Sequence, residues 1–276
     1  MSLRTVLITG CSSGIGLDAA RALAARGWRV FATCRREADC ARLRAEGLES
    51  FRLDYEDPAS IAEAASEAEA RGSGAVDALF NNGAYAIPGF VEDLPPDALR
   101  AIFEANLIGW HDLTRRLLPG MRARGAGRIV QCSSVLGFAA VRWRGAYVAT
   151  KFALEGLTDT LRLELRGSGV RVSLIEPGPI ETRFNENALT QYARWIDPST
   201  SAHKAELAAV EARYRGAGGA RNPFTLPPEA VTRRVIHALE SPRPRARYRV
   251  TTPTHVVALL RRIAPQGALD WLMARQ

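Results

Sequence analysis

The sequence predicts an α/β protein: one domain on a doubly wound, parallel seven-stranded sheet with helices on both faces, and a lid inserted late in the chain. Three observations predict it. Short β-branched runs alternate with Ala-, Leu-, Arg- and Glu-rich stretches, as parallel strands joined by crossover helices require. Residues 5–9 and 128–132 are almost continuously apolar, as strands buried on both faces must be. A glycine-rich turn, Thr9-Gly10-Cys11-Ser12-Ser13-Gly14-Ile15-Gly16, lies between the first strand-like run and the first helical one.

Taken in order, strands are expected at 4–9, 28–34, 49–53, 76–81, 127–133, 170–176 and 246–250. Helices fall between them near 14–26, 38–46, 58–71, 96–122, 147–167 and 228–240. The last strand alternates Arg245, Arg247 and Arg249 with Ala246, Tyr248 and Val250, which reads as a solvated edge guarded by charge. Residues 183–226 break the rhythm with a charged helical segment and the tract Gly216-Ala217-Gly218-Gly219; an insertion of that length usually serves as a lid. An extension over 253–276 carries Val256, Leu259, Leu260, Ile263, Leu269 and Leu272 as the apolar stripe of one helix near 253–274. No Pro-, Gly- or Ser-rich linker and no repeat divides the chain, so residues 1–276 read as one domain.

Composition narrows the function. The 276 residues are 47% hydrophobic, ample for a core, yet no run of eighteen apolar residues exists and no signal-peptide layout opens the chain, so a cytoplasmic protein is expected. The four cysteines form no C-x-x-C pair, and neither His111 nor His203 has a neighbour in sequence that makes a metal or catalytic case. The net charge of +8 is scattered as Arg-Arg pairs, and no stacking aromatics interleave a basic patch, which argues against nucleic acid.

The glycine turn carries more meaning. Between a strand and a helix, Gly10 can adopt a backbone barred to other residues, Gly14 admits a pyrophosphate, and Gly16 lets the helix pack on the sheet. The helix N-terminus then offers free N–H groups to the phosphates, so a dinucleotide site is expected. The second strand ends Thr33-Cys34-Arg35-Arg36, where a protein that binds NAD usually carries an acid. A guanidinium there suits a 2′-phosphate, so Arg35, with Ser12, Ser13 or Arg36, argues for NADP(H) over NAD(H). Glu37 or Asp39 could still reach the ribose.

Tyr147 and Lys151 stand four residues apart and share a helix face. An ammonium beside a phenol favours the phenolate and tunes it for proton exchange. They open the helix after a strand ending Cys132-Ser133-Ser134, at the carboxyl edge where ligands of such sheets bind. With Asp54 after the third strand, Asn81-Asn82-Gly83-Ala84 after the fourth, Asn106 in the next helix and Pro177-Gly178, these residues resemble the classical short-chain dehydrogenase/reductase family in family order from residue 3 to about 182. Its 17β-hydroxysteroid and retinol dehydrogenase branch is the most similar, and the Ala/Arg-rich composition suggests a bacterial source.

The resemblance implies a Rossmann-type oxidoreductase that interconverts a carbonyl and an alcohol. Tyr147 would exchange the proton, and Lys151 would hold the nicotinamide ribose and polarise Tyr147. Ser134 would steady the reacting oxygen, with Ser133 pointing away, and Asn106 would hold a water leading from Lys151 to solvent. Asp54, with Tyr55 beside it, would meet the adenine, Asn81 and Gly83 would line the adenine-ribose wall, and Ile15 belongs to the phosphate loop. Pro177, Gly178, Ile180 and Thr182 would flank the nicotinamide. The family's Asn-Asn-Ala-Gly has its last two residues exchanged here. A homodimer or homotetramer is implied, through the helices near 97–122 and 147–167.

Val141, Arg142, Trp143, Tyr85, Phe90 and the lid's Phe184, Tyr192, Trp195 and Phe224 would close a pocket for a bulky apolar, steroid-, retinoid- or aromatic-like substrate, with Trp143 and Phe184 nearest the chemistry. For Trp195 and Phe224, packing the lid onto the body is an equal alternative. Arg142 or Arg144 could hold a carboxylate substrate, although solvated arginines in a loop are commoner. The competing functions are a 3-oxoacyl thioester or small-ketone reductase and, from another class, a non-catalytic NADP(H) sensor or scaffold.

Overall fold

The computed structural model describes residues 4–216 and 223–274, so Ala217, Gly218 and Gly219 of the lid's glycine tract lie outside the described residues. Among them run seven strands: β1 (Thr5–Ile8), β2 (Arg29–Cys34), β3 (Glu49–Arg52), β4 (Ala78–Asn81), β5 (Gly127–Cys132), β6 (Val170–Glu176) and β7 (Arg247–Arg249). All pair in parallel in the order β3-β2-β1-β4-β5-β6-β7. The order reverses between β1 and β4, and beyond their carboxyl ends lies the crevice where doubly wound sheets take ligands.

The first crossover helices are α1 (Gly14–Ala25), α2 (Glu37–Ala45) and α3 (Pro58–Arg71). Asp57 caps α3, its carboxylate accepting from Ala59 N and Ser60 N. The expected long helix over 96–122 is α4 (Pro96–Phe103), a π-helical turn at Glu104–Ile108 and α5 (Gly109–Ala123). Then come α6 (Gly145–Glu164), α7 (Phe184–Trp195), α8 (Lys204–Tyr214) and α9 (Glu229–Glu240). Among its described residues the stretch 183–226 thus holds two helices, α7 and α8. The single helix expected near 253–274 is two, α10 (Thr252–Ile263) and α11 (Gln266–Met273), because Pro265 has no N–H to continue the first.

Helices α1 and α9 pack together, as do α3 and α5, and one apolar core of strand and helix side chains runs through these layers. A second cluster holds Tyr85, Ile87, Ile102, Leu136, Tyr147, Tyr192, Ile196 and Leu207, joining α7 and α8 to the body. The arginine row on β7 is not the solvated guard the alternation suggested. Arg247 pairs with Glu155, Asp159 and Glu176, and Arg249 with Glu176; the Glu176 side chain is only 1% exposed, so the row neutralises buried carboxylates behind the sheet. The four cysteines are free and buried.

Candidate active site

A cleft of about 1970 Å³ opens at the carboxyl end of the sheet, lined by the glycine turn, the ends of β2 to β6 and segment 183–226. At its floor Gly10 has φ +68°, and a β-carbon there would stand 2.6 Å from Gly83 Cα. A β-carbon on Gly16 would stand 2.4 Å from the Gly10 carbonyl oxygen, so glycine is needed here for α1 to pack against the turn. At position 83, where the family carries alanine, a β-carbon would stand 3.3 Å from Gly10 Cα and N, so the glycine found here relieves crowding.

The turn fits an anion. Helix α1 starts at Gly14 behind Ser13, with no side-chain cap and no acid in its first turn, so its N–H groups remain for a ligand. Ser12, Ser13, Gly14, Ile15, Arg35 and Arg36 line this end. The two acids that could compete for a ribose are engaged: Glu37 with Arg44, and Asp39 with Arg36 and Arg42. Among the described residues no carboxylate lies within ion-pair distance of Arg35; Glu56, also on the cleft wall, is the acid whose charge reaches it. Arg42, which the motif reading did not single out, donates to the Ser12 carbonyl at 2.7 Å and braces the loop; its place on the facing side of α2 was the available signal.

Asp54 and Tyr55 line the cleft beyond the end of β3. The Tyr55 hydroxyl bonds Thr9 Oγ1 at 2.8 Å and Asn81 Oδ1 at 2.7 Å, and Asn81 Nδ2 donates to Thr114 Oγ1 at 3.1 Å. Asn81 is therefore fully buried in the body instead of on the wall, because the last residue of β4 points toward α5. Its neighbour Asn82 lines the cleft beside Gly83, its N–H donating to Thr9 Oγ1 at 2.8 Å. Pro177, Gly178, Ile180 and Thr182 form the opposite wall.

Ser134, Tyr147 and Lys151 come together at the centre. The chain after β5 turns at Ser134, whose Oγ accepts from Leu136 N at 3.1 Å, while Ser133 is buried facing Gly137 and Glu155. Helix α6 presents Tyr147 and, one turn on, Lys151, which is 1% exposed. Lys151 Nζ donates to the Cys132 carbonyl at 2.8 Å and lies 4.3 Å from the Trp110 ring centroid. Burial pushes this amine down to about 8, with Cys132 and Glu155 pulling the other way. Burial also pushes the Tyr147 phenol well above its usual range, with the nearby Ser134 hydroxyl opposing. The net lowering of the phenol expected from Lys151 is thus overridden by desolvation in this arrangement.

Asn106 sits in the π-helical turn, fully buried and off the cleft wall. It accepts from Tyr85 N at 3.1 Å and donates to Tyr85 O at 2.8 Å and Thr150 Oγ1 at 3.3 Å; Thr150 in turn donates to the Tyr147 carbonyl. It thereby ties the loop after β4 to the helix that carries Tyr147.

On the side of the cleft facing Tyr147, residues Tyr85, Val141, Trp143, Arg144, Phe184, Tyr214 and Phe224 line the wall, and Phe184 meets the Tyr147 ring edge-on at 5.3 Å. Phe90, Tyr192 and Trp195 instead pack into the second core, which for Trp195 decides between the two alternatives. Arg142 pairs with Glu206, and His203 stacks on Phe90 and contacts Glu92.

A short chain dehydrogenase family model matches residues 4–193. The chain belongs to the short-chain dehydrogenase family. Within this oxidoreductase family it is 41% identical over 270 residues to the uncharacterized oxidoreductase YbbO of Escherichia coli (strain K12), covering 98% of this chain and 94% of the relative. It is 32% identical to human retinol dehydrogenase 8 (96% and 87% covered) and 33% identical to human 17-beta-hydroxysteroid dehydrogenase type 1 (97% and 84%), which bears out the steroid- and retinol-like branch. A Burkholderia phymatum short-chain dehydrogenase/reductase solved with NAD superposes with TM-score 0.78 at 26% identity (94% and 92% covered). A serine dehydrogenase solved with NADP+ gives 0.76 at 25% (91% and 95%).

Proposed function

We propose that this short-chain dehydrogenase is an NADP(H)-dependent enzyme that interconverts a ketone or aldehyde and its alcohol on a bulky, largely apolar substrate. The convergence of Ser134, Tyr147 and Lys151 in one cleft with an uncapped glycine-turn helix carries the reading. The cofactor supplies or accepts the hydride. Ser12, Ser13, Gly14 and Ile15 would hold its phosphates, Asp54, Tyr55 and Gly83 its adenosine, and Pro177, Gly178, Ile180 and Thr182 its nicotinamide. Solved relatives take NAD or NADP+. The preference for NADP(H) therefore rests on Arg35 and on the arginine-bound state of Glu37 and Asp39.

In reduction Tyr147 donates its hydroxyl proton to the substrate oxygen, and in oxidation it takes that proton back. Ser134 donates a hydrogen bond to the same oxygen as charge develops. Lys151, held by the Cys132 carbonyl, supplies the nearby positive charge, and Asn106 fixes the backbone at Tyr147 and would hold the water through which Lys151 reaches solvent. Trp143 and Phe184 bound the space for the substrate's apolar part. Segment 183–226 acts as the substrate lid on this reading.

A cytoplasmic homodimer or homotetramer goes with this reading; no helix among the described residues is long and apolar enough to cross a membrane, and Leu99, Ile108, Leu157 and Leu163 leave apolar surface on the α4–α6 side. The test is NADPH oxidation against ketosteroids, retinal, aromatic ketones, 3-oxoacyl thioesters and small aldehydes, with NADH in parallel. Turnover of the bulky apolar carbonyls with NADPH is expected. Turnover only of thioesters or small ketones would move the substrate class, and tight NADPH binding without turnover of any carbonyl would favour a sensor.

A further inference from the structure

Three polar groups at the substrate end of the cleft lack the partners their burial calls for. Trp143 Nε1 and the Tyr214 hydroxyl are both buried without a hydrogen-bond partner. Arg144 is half-buried and pairs with no carboxylate among the described residues; its guanidinium carbon lies 5.3 Å from the Tyr214 ring centroid. Arg142, one residue before Trp143, is by contrast paired with Glu206. All three residues line the cleft that holds Ser134 and Tyr147.

An unsatisfied buried donor costs roughly 1–3 kcal/mol, so two beside an unneutralised cation are a standing penalty unless a ligand meets them. The backbone that carries two of the three is fixed in advance. Gly89 N donates to the Trp143 carbonyl at 2.9 Å, a parallel bridge joins Gly89 to Arg144, and Trp143 is held at φ +63°, a conformation that clusters at ligand clamps. Arg144 borders the first turn of α6, whose third residue is Tyr147, so the cation belongs to the rigid element that carries the proton donor.

We propose that the substrate carries, besides its reacting carbonyl, a carboxylate that Arg144 binds by charge-assisted hydrogen bonds while the Tyr214 hydroxyl and the Trp143 N–H donate to it. A guanidinium stacked beside a tyrosine, with an indole N–H on the preceding residue, matches a single planar negative charge. The substrate is then an apolar keto acid or hydroxy acid, its hydrocarbon body against Phe184 and Val141. This deepens the carbonyl-reductase reading and rests on it for the identity of the reacting group.

The test uses matched pairs: 4-oxo-4-phenylbutanoate and 6-oxo-6-phenylhexanoate, each against its methyl ester, with NADPH. The acids are expected to exceed their esters in kcat/KM by about tenfold or more, the scale of a hydrogen-bonded charge. Arg144→Met and, separately, Tyr214→Phe should shrink that preference through KM. As a readout independent of turnover, 4-phenylbutanoate should quench tryptophan fluorescence of the NADPH-loaded protein, with an affinity that Arg144→Met weakens by a similar factor. Equal use of acid and ester, or a preference and a quench that both variants leave intact, overturns the carboxylate subsite while the reductase reading stands. Arg144-dependent quenching without turnover of any carbonyl retains the subsite and overturns the reductase reading instead.

Discussion

Lys151 is the most heavily constrained ionisable side chain of the site, and its environment has a consequence for stability. The unfolded chain keeps this proton to about 10.5, whereas the buried amine gives it up at about 8. Between those values the unfolded state binds more protons, so this residue makes stability rise with pH through that window. Tyr147 acts oppositely above pH ~10, because the folded state keeps a phenol proton that the unfolded chain has begun to lose. In urea melts, the stability of wild type relative to Lys151→Met should therefore climb from pH 8 to about 10; a flat difference would mean that the amine titrates normally. On the proposed mechanism Tyr147→Phe removes only the proton donor, so turnover should fall by about a hundred- to ten-thousandfold with NADPH affinity little changed. An unaltered rate would sink the mechanism. Tyr147, Lys151 and Ser134 were legible in the sequence because their spacing reports a shared helix face and a strand end. Asn82 was missed for Asn81 because one step along β4 turns the side chain into the body. Tyr214 was invisible as a partner of Arg144 because seventy positions separate them and only the fold closes the gap.

Helix α6, strand β6 and strand β7 are held together behind the site by one cation. Arg247 reaches Glu176 Oε1 at 2.7 Å and also pairs with Glu155 and Asp159, which α6 carries one and two turns beyond Lys151. The two glutamates have side chains 1% and 9% exposed, so neither can turn to water if the guanidinium goes. Arg247→Met leaves Glu155 without a guanidinium while Glu176 keeps Arg249, so it should cost about 3 kcal/mol by denaturant titration, the lower end for breaking a buried pair. Arg245→Met, on an exposed residue of the same alternating row, should stay within about 0.5 kcal/mol. Similar losses from both would return the row to a general edge effect. The alternation was legible and correctly marked an edge strand, but not where the arginines find their partners, since Glu155 and Glu176 lie on elements that local pattern cannot bring into contact. Element boundaries followed the same logic. Apolar runs located all seven strands within two residues, whereas the break at Pro265 went unread because the apolar stripe continues past it.

On the scale of the whole molecule, the smaller core joins α7 and α8 to the body beside the cleft, and further contacts tie residues 201–206 to the segments that follow β4 and precede α6. His203 stacks on Phe90 with ring centroids 3.8 Å apart, Ser201 donates to Asp93 at 2.8 Å, and Arg142 pairs with Glu206. A ligand that spans the cleft from Arg35 to Thr182 bonds to both sides at once, and the unfolded chain offers it no such surface. Binding to the folded state alone should therefore stabilise the protein by about 2.7 kcal/mol at a hundred times the dissociation constant. For a chain of this size that raises Tm by about 5–10 °C. NADPH should reach this shift at far lower concentration than NADH, because only the former presents a 2′-phosphate to Arg35, Ser12 and Ser13. Arg35→Asp should reverse the order, since the new carboxylate repels the phosphate and accepts from a 2′-hydroxyl. Equal shifts from both cofactors in wild type, unchanged in the variant, would mean that the positive end of β2 serves the surface and not the cofactor. The measurement needs no substrate, so it separates the question of which dinucleotide binds from that of which carbonyl is reduced.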